Sequence, residues 1–97
     1  MNKNLRLFKN YLNHKVFAFG AGKGFYSFKK FVLDKYKFKN YVKVDKNYLN
    51  IKNCLSYEKF ASLKLDKTKI LIVICSTNNK YAKEMSNFLL LNNFFYL

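Results

Sequence analysis

The chain has 97 residues, 51% of them hydrophobic, with no proline and no tryptophan. That is enough for one modest core spanning residues 1–97, and it excludes both a disordered chain and a complete dinucleotide enzyme with its own substrate domain. Lys and Arg number 19 against 5 Asp and Glu, a formal net charge of +14.

Taken in chain order, Leu5, Phe8, Tyr11 and Leu12 recur at three- and four-residue spacing, which predicts an amphipathic lead-in helix over residues 3–13. Lys15 to Phe19 is an apolar run of strand length. Residues 23–36 follow as a helix with Phe25, Phe28, Val32 and Tyr36 on one face, and Tyr41 to Asp45 is a second strand ending in an acid. In the connector 46–68, Ser56 is an N-cap for one or two turns of helix in place of a full crossover helix. Lys69 to Ser76 reads as a central buried strand. Tyr81 to Leu91 is a helix with Ala82, Met85, Phe88 and Leu89 inward, stopped by Asn92 and Asn93, and Phe94 to Leu97 is a final strand. The expected fold is α/β, a three-layer half-fold of four parallel strands in the order 2-1-3-4 with helices on both faces.

The join between the first strand and its helix is Gly20-Ala21-Gly22-Lys23-Gly24. A glycine-rich turn between a strand and a helix brings phosphates onto unpaired N–H groups at a helix start. Asp45 ends the second strand about 25 residues after Gly20, within the range where a dinucleotide unit keeps its ribose carboxylate. Ser76, Thr77 and Asn78 follow the third strand at the same edge. These nine residues define the expected binding site for a nucleotide such as NAD.

Each has a structural alternative. The glycines also make an architectural turn, Asp45 also caps its own turn or pairs with Lys43 or Lys46, and one of Ser76 to Asn78 also caps the last helix. The third glycine of Gly-x-Gly-x-x-Gly falls on Phe25, with Gly24 one position early. A phenyl ring there is expected to push the helix outward or twist its first turn. A P-loop fails on spacing, since Gly24 stands where Ser or Thr is required after Lys23.

From residue 5 to 97, the element order and two short motifs, Val16-Phe-Ala-Phe-Gly-Ala-Gly-Lys23 and Tyr41-Val-Lys-Val-Asp45, resemble a small Rossmann-like domain of bacterial glycan enzymes. Such a domain precedes FkbM-type methyltransferase domains, and a related unit precedes the left-handed helix of sugar O- and N-acyltransferases. The resemblance to the acyltransferase unit implies a role in holding the nucleotide part of a sugar nucleotide such as a UDP-sugar, the other relatives implying no particular ligand. The resemblance as a whole implies surface-glycan biosynthesis of the capsule or lipopolysaccharide type. It also implies that the transferase chemistry lies in a following domain, so the chain is expected as a single module or as a fragment of a larger transferase.

No catalytic constellation is drawn from these residues. His14, the single histidine, precedes the first strand, away from the carboxyl edge, and Glu58 and Glu84 read as solvated helix faces. Cys54 and Cys75 lack metal or disulfide spacing, so no metal site is assigned. Binding without chemistry is the expectation, with a structural or interaction domain as the alternative. A third reading, nucleic acid binding, ranks lower because Arg6 is the one arginine and the lysines are spread along the chain. The apolar run from Ile70 is far short of a membrane span and no secretory leader is read at the start, which together predict a cytoplasmic protein. The apolar end, Phe94 to Leu97, is expected as a sheet edge covered by self-association, a partner protein or a downstream domain.

Overall fold

The computed structural model describes residues 5–96. Four strands form one parallel sheet: β1 (Lys15–Phe19), β2 (Tyr41–Val44), β3 (Cys54–Leu55) and β4 (Ile70–Ile74), in the spatial order β3-β2-β1-β4. β1 lies between β2 and β4, with Val16 opposite Tyr41 and Leu71 and with Phe19 opposite Val44 and Ile74. A central parallel strand is covered on both faces, which is why its apolar residues run continuously rather than alternate. Val16 to Phe19 are fully buried.

Alternate residues of β1 and β4 divide the core in two. Val16, Ala18, Leu71 and Val73 face one side, where they pack with Phe25, Phe28, Val32, Leu33 and Phe38. Phe17, Phe19 and Ile72 face the other, with Val42, Val44, Phe60, Met85, Leu89 and Phe94. The first side is covered by helix α1 (Lys23–Phe28), which continues without a break as a π-helix, Lys29–Asp34. The wider π turn stacks residues five apart, and Lys29 Nζ meets Asp34 at 2.9 Å. The second side is covered by α2 (Tyr57–Ser62) and α3 (Asn79–Leu91). Phe60 anchors it: its ring meets Phe19 edge-on at 5.0 Å and Phe17 at 5.1 Å. Edge-to-face contacts of this kind add to the burial of the rings.

The lead-in element is a 3₁₀ helix, Leu5–Tyr11; residues 3 and 4 of the expected helix lie outside the described residues. Phe8 from this element packs edge-on against Phe28 at 5.5 Å. Ser56 caps α2 as expected, its Oγ accepting from the Lys59 N–H at 3.0 Å.

Two expectations fail at the sheet edges. The expected order 2-1-3 holds as β2-β1-β4, but Phe94 to Tyr96 are not a strand, so β4, expected as a central strand, lies at the sheet edge. Asn93, in the left-handed region at φ 62°, turns the chain after α3. Phe94 then buries its ring against Phe60 at 4.9 Å instead of extending along β4. Leu97 lies outside the described residues. The fourth strand is the two-residue β3, paired with β2 at the opposite edge, with Lys43 opposite Cys54 and Val44 opposite Leu55. Cys54 thus belongs to a strand rather than to a polar connector. Among the described residues no helix is long and apolar enough to cross a membrane.

Candidate functional site

The glycine turn leaves β1 at its carboxyl end. Gly20 has φ +106°, a conformation that L side chains rarely adopt, and its N–H donates to the Val44 carbonyl at 2.9 Å. Gly24 serves a different need. A Cβ there would lie 1.4 Å from the Cys75 carbonyl oxygen and 2.7 Å from its carbon, so the first turn of α1 rests directly on the backbone that leaves β4. Phe25 therefore does not push the helix outward; its ring is buried on the α1 side of the sheet. Close approach is supplied one position earlier than the dinucleotide fingerprint places it, and against β4.

Asp45 is held by the backbone on both sides. One carboxylate oxygen accepts from the Ala21 N–H at 3.0 Å and the other from the Asn47 N–H at 2.9 Å. The first contact fastens the glycine turn to the end of β2, and the second caps the turn after it. Neither of the lysines expected as its partner pairs with it. Lys46 Nζ bonds Glu84 at 3.3 Å and sits 4.3 Å above the Tyr81 ring, and Lys43 Nζ lies 5.3 Å from the Phe25 ring. His14 takes a packing position, edge-on to Tyr11 at 5.0 Å.

All nine residues expected at the site, Gly20, Ala21, Gly22, Lys23, Gly24, Asp45, Ser76, Thr77 and Asn78, border one crevice of about 310 Å³ at the carboxyl edge of the sheet. Ligand pockets of parallel α/β sheets lie at this edge, and the volume is at the small end of their range. Sequence reasoning missed Lys46, Asn47, Ile51, Tyr57, Cys75, Tyr81, Glu84 and Met85, which complete the lining. They come from four separate segments and carry no shared motif. Only the inward helical spacing of Met85 and the acid at Glu84 were visible, and Glu84 faces the crevice rather than solvent alone.

Tyr57 and Tyr81 form the aromatic part of the wall, and the Tyr57 ring lies 4.9 Å from Phe88 and 5.7 Å from Phe19. Burial first, then the charges of Asp45 and Glu84, push its phenol up to about 12. It stays protonated at neutral pH and available as a hydrogen-bond donor. The Cys75 thiol is pushed up to about 12 by burial, which keeps it from acting as a thiolate.

Two helices begin at this crevice. At α3, Asn78 Oδ1 accepts from the N–H groups of Lys80 at 2.9 Å and Tyr81 at 3.3 Å, while Ser76 Oγ accepts from the Asn78 N–H at 3.2 Å. The helix α1 starts at Gly22 with no side-chain cap. Among the described residues, the N–H groups of Gly22, Lys23 and Gly24 have no hydrogen-bond acceptor. The site thus offers consecutive free donors, a lysine and a neutral phenol, and can hold an anion with a polar attachment. Compared with known proteins, the chain gives no significant match to any family model, curated protein or solved structure.

Proposed function

We propose that this chain is a non-catalytic module that binds the phosphates of a nucleotide or sugar nucleotide in the crevice at the carboxyl edge of its sheet. The observation that carries the reading is the set of free N–H groups at Gly22, Lys23 and Gly24, at the start of a helical run that continues to Asp34. Anions are stabilised at such a start by the N–H groups and the aligned peptide dipoles. Lys23 adds a point charge. Asp45 positions the turn through Ala21 and is less a ligand group than a brace, while the Tyr57 hydroxyl supplies a donor to the ribose or sugar. The resemblance to the domain preceding glycan methyltransferases and acyltransferases extends the reading to surface-glycan biosynthesis.

Thermal unfolding in the presence of UDP, a UDP-sugar and NAD tests this. A ligand present at about 100 times its Kd adds roughly 2.7 kcal/mol and raises Tm measurably. Gly22→Val is the decisive variant, because a Cβ at Gly22 meets no protein atom within 4 Å and points into open space. It should abolish the shift while leaving the ligand-free Tm nearly unchanged. No shift with any of the three ligands overturns the reading and leaves the glycine turn as architecture.

A further inference from the structure

The outer surface of the helix that covers one side of the sheet has a chemistry that the crevice does not use. Residues 29–39 carry five lysines and one acid, Asp34, and that acid is tied to Lys29. The opposite layer is more balanced, with Glu58 on α2 and Glu84 on α3. Two large aromatics stand in the cationic surface: Tyr26 is 64% exposed and Phe31 48%. Lys30 Nζ lies 5.4 Å from the Phe31 ring, and Lys9 and Lys35 each place Nζ 5.6 Å from the Tyr36 ring.

From this charge and exposure we infer that the outer face of the Lys23–Asp34 helix and the turn after it bind single-stranded nucleic acid. Ammonium groups track the phosphates, and Tyr26 and Phe31 offer faces on which unpaired bases stack. Stacking on exposed aromatics within a cationic surface holds single strands with little regard to sequence. Lysine is a point charge suited to backbone contact, whereas reading base edges in a duplex favours the arginine fork. An anionic membrane is the poorer fit. Insertion needs a broad apolar helix face, and apart from Tyr26 and Phe31 the apolar residues of this helix, Phe25, Phe28, Val32 and Leu33, are buried against the sheet.

Fluorescence anisotropy with labelled oligo(U) and oligo(dT) of about 15 nucleotides tests the surface. Affinity should fall with salt at a log-log slope of about −3, as expected for roughly four neutralised phosphates on a single strand. Tyr26→Ala with Phe31→Ala should weaken binding about tenfold or more while keeping that slope. Lys30→Gln with Lys35→Gln should reduce the slope by about 1.4. Lys59→Gln with Lys83→Gln, on the opposite layer, should change neither, with circular dichroism confirming the fold of each variant. The inference is overturned if the opposite-layer lysines matter equally, if no binding occurs at about 50 mM salt, or if phosphatidylserine vesicles bind more tightly than either oligonucleotide.

Discussion

The helices α1 and α3 begin side by side at the same crevice and begin in opposite ways. At α3 the chain closes the helix with its own side chain, Asn78 taking two of the first N–H groups. At α1 it supplies a glycine, no cap and a lysine, and the donors of Gly22, Lys23 and Gly24 remain free. A capped start stabilises the fold, typically by about 1 kcal/mol. An uncapped start forgoes that and leaves an anion site. On the proposed reading the difference separates a structural from a binding end of one crevice, and substitutions at the two starts break or sharpen it.

The largest effect is expected for Gly24→Ala. Its Cβ meets the backbone of Cys75, so α1 or the end of β4 has to move. The cost is near the upper end for overpacking, about 3 kcal/mol, read as a lowered denaturation midpoint at unchanged m-value. Asp45→Ala comes next: it leaves the Ala21 and Asn47 N–H groups without their acceptors and should cost about 1–3 kcal/mol. It should also weaken nucleotide binding by freeing the turn, although Asp45 need not touch the ligand. Asn78→Ala removes the cap of α3 and should cost about 1 kcal/mol, with no loss of nucleotide affinity beyond what the change in stability explains. If Asn78→Ala instead abolishes binding at full stability, the two helix starts have been assigned the wrong way round.

A smaller effect concerns pH. The folded-state phenol of Tyr57 is raised from 10.0 to about 12, so the folded state favours its protonated form. That stability is fully present below about pH 10 and is lost as pH rises toward 12. Tyr57→Phe should flatten this part of the alkaline unfolding curve, measured by circular dichroism. The smallest effect is expected for Gly22→Ala. With open space around its Cβ, it should stay within about 0.5 kcal/mol of the parent. The contrast between Gly22 and Gly24, two residues apart, is the sharpest check on which glycine serves packing and which faces the ligand.

Much of this arrangement was legible because the responsible signals are local. β1 runs over the residues its apolar run marked, Ser56 caps α2, and Gly20 begins the turn expected after the strand, at a positive φ. The nine expected site residues meet because the ends of adjacent parallel strands converge on one edge. The misreadings concern partners far away in the chain. β3 is two residues long and exists through its pairing with β2, so no period announces it. Phe94 to Tyr96 has the composition of a strand, but Phe94 is buried against the Phe60 ring, 34 positions back in the chain. Lys46 is adjacent to Asp45 in sequence yet pairs with Glu84, 38 positions on.

By itself, then, the sequence determined the parallel α/β class, the central strands, the glycine turn and the carboxyl-edge position of the site. These follow from hydrophobic period, glycine conformational freedom and the single hand of parallel crossovers. Only the tertiary structure decided that Gly24 supplies the close approach to the backbone leaving β4, that Asp45 is a brace for the turn, and that Tyr57 and Glu84 complete the crevice. Those outcomes depend on which backbone and side chains approach across the fold. Such distances are set by packing of the whole core, and no short stretch of the chain contains them.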